Sequence, residues 1–316
     1  MRPLIVIRRV PKIDFMRWHR FGFAFSILLG AVSIGLFATI GLNYGIDFRG
    51  GTQIEARVTT GPADLATMRA KLDSLGIGQA SLQNFGSPSD VLIRLPQQPG
   101  GDAAQQKAIE LARKALGPGI DYRSVEVVGP TVGNELVRAG VVATVLALVA
   151  ILIYIWFRFE WQFGVGATIS TIHDVVTTIG LFAIFQLDFD LTTLAAILTI
   201  AGYSINDTVV IYDRIRETMR KHRTMSFREL INLALNETLS RTILTVSTVA
   251  LAVLSLLIFG GQVLRGFSIA MLWGIVIGTY SSLFIAAPIL YYIQPSRRAI
   301  ARGGEGAGAA AGRPSR

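Results

Sequence analysis

The chain contains no cysteine, only three histidines, and charged residues at just 16% of its 316 positions. Without a thiol there is no disulfide, thiolate metal site or sulfur nucleophile, and the absence says nothing about redox compartment. Soluble domains carry charge at roughly a quarter of their positions, so this deficit argues against a soluble protein. Apolar residues take the vacated share: 51% are hydrophobic and mean hydropathy is +0.50. This is the composition of an integral membrane protein. A net charge of +9 would suggest nucleic acid in a soluble chain. Here Lys and Arg collect beside apolar segments, where topology and anionic membrane lipid account for them, and no nucleic acid partner is expected.

Six stretches, 21–42, 136–157, 162–185, 190–212, 240–259 and 266–291, are apolar over the length a helix needs to cross a bilayer, about 20 residues. The first follows basic residues, but its apolar run is too long for a signal peptide and no small-residue cleavage site closes it, so it reads as a retained anchor. Arg2, Arg8, Arg9, Lys12, Arg17 and Arg20 precede the first span; Arg214, Arg216, Arg220, Lys221, Arg223 and Arg228 lie between the fourth and fifth; Arg297, Arg298 and Arg302 follow the sixth. A six-span path puts all three groups on one side, together with Arg158, whereas the opposite short loops hold Arg265 alone. The positive-inside rule then makes both termini cytoplasmic: residues 1–20 and a low-complexity, disordered tail over 293–316, with 213–239 as a basic cytoplasmic loop.

Residues 43–133 fall outside. Their pattern reads βαββαβ: strand 52–59, a helix opening at Pro62, strands in "ASLQNF" and "DVLIRL" joined by the turn "GSPS", helix 101–117, and strand 122–129. This order predicts a ferredoxin-like α+β domain. It has no His or Cys and no convergent carboxylates, so a hydrolytic or metal site is not expected there and no cofactor is implied. A surface meeting a partner or an unfolded chain fits better.

Inside the spans the informative residues are charged. Asp207, beside Asn206, arrives several residues before the fourth apolar run stops, and Arg241 is the first basic residue within the fifth. If these helices pack, the two lie at comparable depth, and an ionised group at mid-helix costs on the order of 2.5–3.5 kcal/mol unless partnered. An acid that pairs with Arg241 in one arrangement of the bundle and releases it in another has the minimum equipment for coupling motion to a proton gradient. The alternatives are a cap or snorkelling for Asp207, and membership of the basic belt for Arg241. His173 and Asp174, in "STIHDVVTT" of the third span, are either a second element of a polar path or interhelical glue, satisfied in part by Thr171, Thr177 and Thr178. Tyr203 and Ser204 carry little weight. Ala270, Gly274, Gly278 and Ser282 recur every fourth position and make a close-packing face, within the bundle or against another subunit. In "GIDFRGG", Gly45, Gly50 and Gly51 allow a tight turn out of the membrane and Asp47 can cap or pair there, so this junction reads as a hinge or a structural support.

The succession "NYGIDFRGGTQIE" (43–55), "QNFGS" (83–87), "EVVGPTVGNEL" (126–136), "FRFEW" (157–161), "HD" in the third span, "GYSINDTVVIYDRIRE" (202–217) and "SRT" (240–242) resembles the SecD/SecF family of protein-export membrane proteins, and its SecF branch more than its SecD branch. The similarity covers nearly all of the chain except its last dozen or so residues. It implies membership of the resistance-nodulation-division superfamily, a SecD partner on the same six-span plan that contributes a further acid, and a place beside the SecYEG channel in the bacterial inner membrane, with YajC and YidC as further candidate partners. The implied function is proton-driven assistance to late translocation of unfolded polypeptide, not catalysis. By the family's motif, Asp207 of the "ND" element and Arg241 of the fifth span are parts of the proton path. Two rivals stay open: a small-molecule or lipid exporter of the same superfamily, with little room for a drug-sized cavity, and a passive scaffold whose buried charges merely hold helices together.

Overall fold

The computed structural model describes residues 11–261 and 264–295. The basic residues expected before position 11 and after 295, and the low-complexity tail, lie outside the described residues. After a short 3-10 turn, Phe15–Arg17, the chain enters α1, His19–Thr39. A two-residue strand β1, Asn43–Tyr44, and a one-turn helix α2, Ile46–Arg49, lead into an α+β domain. Its elements are β2 (Gly51–Val58), α3 (Leu65–Asp73), β3 (Ser81–Phe85), β4 (Ser87–Leu95), α4 (Gly101–Leu116) and β5 (Ile120–Val128). The helix bundle then resumes with α5 (Pro130–Arg158), α6 (Trp161–Phe185), the short β6 (Asp188–Phe189), α7 (Leu191–Lys221) and α8 (Phe227–Phe259). It ends with α9 (Arg265–Ser281), a π-helical turn (Ser282–Ala286) and α10 (Ala287–Ile293).

Strands β2 to β5 form one antiparallel sheet in the order β3-β4-β2-β5, with α3 and α4 on one face, the ferredoxin-like arrangement the pattern predicts. Alternation sends Ile54, Ala56, Val91 and Ile93 under the helices against Leu72 and Ala112, and turns Gln53, Glu55, Leu92 and Arg94 to the other face. The expected "GSPS" turn contracts to Gly86, whose φ of +86° lets Phe85 and Ser87 pair directly. Asp64 caps α3, its side chain accepting from the main-chain N–H groups of Ala66 and Thr67.

Among the described residues six helical segments are long and apolar enough to cross a membrane, the sixth running from Arg265 to Ile293 through the π turn. That turn sits where Pro288 offers no N–H and crowds the carbonyl one turn back, a common reason for a helix to widen locally. α6, α7 and the α9–α10 helix bury much of their surface in one another, whereas α1, α5 and α8 leave most of theirs uncovered. α7 and α8 overrun the expected spans at the end away from the sheet, so 213–239 is helical apart from residues 222–226. Their polar ends are tied by Arg214 to Glu217 and Glu237 and by Lys221 to Glu217, and Ser226 with Glu229 forms a capping box at the start of α8. The segment before α1 lies on this end of α8. Asn236 both accepts from the Ile13 N–H and donates to its carbonyl, and Asn232 accepts from the Met16 N–H and donates to Asp14.

A candidate ion-coupling site within the bundle

α7 meets α8 on one side and the pair α6 and α9 on another, and within the apolar spans each contact holds an aspartate. On the α8 side, Asp207 lies sixteen positions into α7 and Thr242 seventeen positions back from the end of α8, depths of about 24 and 26 Å at 1.5 Å per residue. The packing of these helices thus sets both residues level, and Thr242 Oγ1 donates to Asp207 Oδ1 at 2.7 Å. Asp207 Oδ2 is buried and has no hydrogen-bond partner among the described residues. Arg241 stands near enough for its charge to reach the carboxylate, but it is exposed and makes no ion pair with it. The anticipated acid and base are therefore level and close but unjoined, and the carboxylate's partner is Thr242, which the sequence reading passed over. Asn206 is exposed on α7 rather than turned into this contact.

On the other side, Asp174 of α6 is fully buried. His173 Nδ1 lies 3.1 Å from its Oδ1, while Ser204 Oγ of α7 and Ser281 Oγ of α9 donate to its Oδ2 at 2.6 and 2.8 Å. Ser170 Oγ donates in turn to Ser281 Oγ at 2.9 Å. The threonines expected to satisfy this acid do not: Thr177 and Thr178 donate to the Asp174 main-chain carbonyl and Thr171 to that of Ala167. Ser204, discounted on sequence, does so instead. A serine carries no signal in a single membrane span, because its role depends on which helix it faces. Among the described residues no hydrogen bond links this network to Asp207, although Ser204 lies one turn before it on α7.

The repeated small residues explain the close approach of α9 to α7. A Cβ added at Gly274 would sit 2.2 Å from Ile200 Cγ1, and one at Gly278 would sit 3.1 Å from Ser204 Cβ. Ala270 and Ser282 are equally buried, and Ser282 shares a 2.7 Å hydrogen bond with Thr208. This face therefore packs inside the bundle, a choice the sequence left open.

At the sheet end, Gly50 and Gly51 have φ of +71° and +116°, and a Cβ on Gly51 would lie 2.5 Å from the Leu95 carbonyl. Gly45 has an ordinary φ of −66°; its lack of a side chain matters because Asp190 passes close by. Asp47 Oδ2 accepts from the Leu191 N–H at 3.0 Å, so it caps α7 together with Asp190, whose Oδ1 accepts from the Thr193 N–H at 2.7 Å. β1 pairs in parallel with β6, a contact between two-residue strands that has no periodicity to betray it. Asp188 in β6 gathers Asn43, Gln83 and an ion pair with Arg94, clasping the sheet to the bundle. Between them lies a cleft of about 560 Å³, lined by Gln53, Glu55, Arg94 and Glu126 from the sheet. Burial and the neighbouring charge of Glu126 push the Glu55 carboxyl up, against the pull of Arg123.

Comparison with known proteins agrees with this architecture. The C-terminal family of protein export membrane proteins SecD/SecF matches residues 108–296, and the SecD/SecF GG motif matches 35–61. The protein translocase subunit SecF of Rickettsia rickettsii is 48% identical over 292 residues, covering 91% of this chain and 94% of the relative. That of Cereibacter sphaeroides is 46% identical over 295 residues, covering 90% and 91%. The crystal structure of SecDF, a translocon-associated membrane protein from Thermus thermophilus, superposes with a TM-score of 0.83 at 36% identity. That match covers 93% of this chain but 40% of the SecDF chain, so the present chain spans well under half of it. A second SecDF structure, in a super-membrane-facing form, gives a TM-score of 0.69.

Proposed function

The chain belongs to the SecD/SecF family of protein-export membrane proteins, and we propose that it works with SecD as a proton-driven subunit that assists late translocation of unfolded polypeptides. It is a multi-pass inner-membrane transport component. In this reading both termini are cytoplasmic and the α+β domain faces outward, where it meets the emerging chain. SecD covers the exposed faces of α5 and α8, and the pair stands beside SecYEG, with YajC and YidC as additional neighbours in the lipid bilayer.

The observation that carries the reading is the incomplete satisfaction of Asp207. A carboxylate held inside an apolar span by one hydroxyl, with its second oxygen unpartnered and an arginine near but unbound, has room to take up a proton or to exchange partners. Asn206 borders the site on the exposed face of α7. The His173–Asp174 pair enters the path only if its hydrogen bonds rearrange. Its ties to α7 and α9 favour a scaffolding role for that cluster. Gly45, Asp47, Gly50 and Gly51 form the junction through which motion in the bundle would reach the α+β domain.

The decisive experiment measures release of a secreted precursor from cells co-expressing SecD, comparing wild type with Asp207→Asn at equal membrane levels, with and without an uncoupler. The expected result is loss of the uncoupler-sensitive part of export while the complex still assembles. Unchanged export would return Asp207 to the role of packing material.

A further inference from the structure

Threonines in membrane helices commonly turn their hydroxyl back on their own helix. Those of α8 do so at Thr238, Thr245 and Thr248, each donating to a main-chain carbonyl three or four residues earlier. Thr242 departs from this habit and donates across the helix contact to Asp207. It is 1% exposed, so the hydroxyl is directed and not merely adjacent.

Thr242 follows Arg241 by one position, and successive residues of a helix point about 100° apart. The two groups thus present alternative partners to the same carboxylate: one is engaged, the other faces outward. Their chemistry differs. A hydroxyl can donate to an ionised carboxylate and accept from a protonated one, turning its own proton to a main-chain carbonyl as Thr238 does, whereas a guanidinium has no acceptor. The groups around Asp207 are Arg241 on α8 and Tyr203 one turn back on α7, while His173 and Asp174 of α6 are engaged on the other side of α7.

We propose that Thr242 is a positioning residue for Asp207, holding the carboxyl group against α8 in both its protonation forms, and that a roll of α8 exchanges it for Arg241. This rests on the coupling role of Asp207.

The test compares Thr242→Val, which keeps the shape and loses the hydroxyl, with Thr242→Ser, which keeps the hydroxyl, each co-expressed with SecD at matched membrane levels. Two readouts are needed: uncoupler-sensitive export, and the infrared carboxyl band of the purified complex, assigned to Asp207 by its disappearance in Asp207→Asn. Removing one hydrogen bond within a membrane bundle predicts an export loss of about three- to tenfold for Thr242→Val, with a shifted carboxyl band. Thr242→Ser restores both. Thr242→Ala replaces Val if the latter fails to assemble. An unshifted band, undiminished export, or failure of Ser to rescue overturns the positioning role while leaving the Asp207 reading intact. Undiminished export in Asp207→Asn overturns both.

Discussion

Asp174 and Asp207 are acids set one on each side of α7, with Asp174 level with Ser204 about one turn nearer the sheet, and their surroundings have opposite characters. Asp174 is enclosed by α6, α7 and α9 and receives two serine hydroxyls and a histidine. Asp207 sits between α7 and α8, half-buried, with one oxygen bonded and the other unpartnered. Burial alone therefore does not separate an acid that is free to change partners from one that is not. A fully bonded acid ties helices together, and its release would leave several donors stranded at once. A partly bonded acid can change partners at small cost.

The contrast breaks most readily at Asp174. Asp174→Ala strands hydroxyl and ring donors from three helices and should destabilise the bundle by about 2–4 kcal/mol, while Asp207→Ala loses one hydrogen bond and should cost under about 1 kcal/mol. Thermal unfolding of the detergent-solubilised chain checks this, and the reverse ranking would remove the distinction. Close packing sharpens it next. Gly274→Val forces a side chain into Ile200 and should cost about 1–3 kcal/mol, whereas an added methyl at Gly202, on the exposed side of α7, meets nothing within 4 Å and should leave the unfolding temperature unchanged or slightly raised.

A third acid, Asp188, works at the edge of the bundle, where water competes. Asp188→Asn removes the Arg94 ion pair, and a loss of at most about 1 kcal/mol of clasping should appear as faster proteolysis between the α+β domain and the helices, with little change in bundle stability. The smallest effect belongs to Asp90 in the sheet. Hydrogen bonds from Arg57 and Ser87 hold its carboxyl down to about 2, from an ordinary 3.8. A depressed folded value means the contribution is complete above the ordinary value and is lost as pH falls through 3.8 towards about 2. Protection of the α+β domain from an acid-active protease should decline over that window, and Asp90→Asn should flatten the decline.

The α+β domain was legible in nearly every element, because strand alternation and helix spacing are local records of which face is buried. Ile54 and Leu72 sit where their period puts them. β1 and β6 were invisible, since two residues cannot display a period. Within the bundle, Asp207, Arg241, His173 and Asp174 could be found because charge in an apolar run is rare and costly. Their partners could not. Thr242, Ser204 and Ser281 look like any small polar residues in a span, and Thr177 and Thr178, which seemed the natural partners for Asp174, spend their hydroxyls on their own helix.

The membrane spans, the βαββαβ domain and the acids that have to be accommodated in lipid are written along the chain, because hydrophobic periodicity and the cost of burying charge act through local composition. Tertiary structure alone decided which hydroxyl meets which carboxylate, that Gly274 and Gly278 face α7 and not a second subunit, and that Asp47 caps α7 across more than a hundred residues of chain. Those outcomes depend on how helices roll against one another, and a helix roll of one position, about 100°, exchanges Thr242 for Arg241 without altering a single local preference.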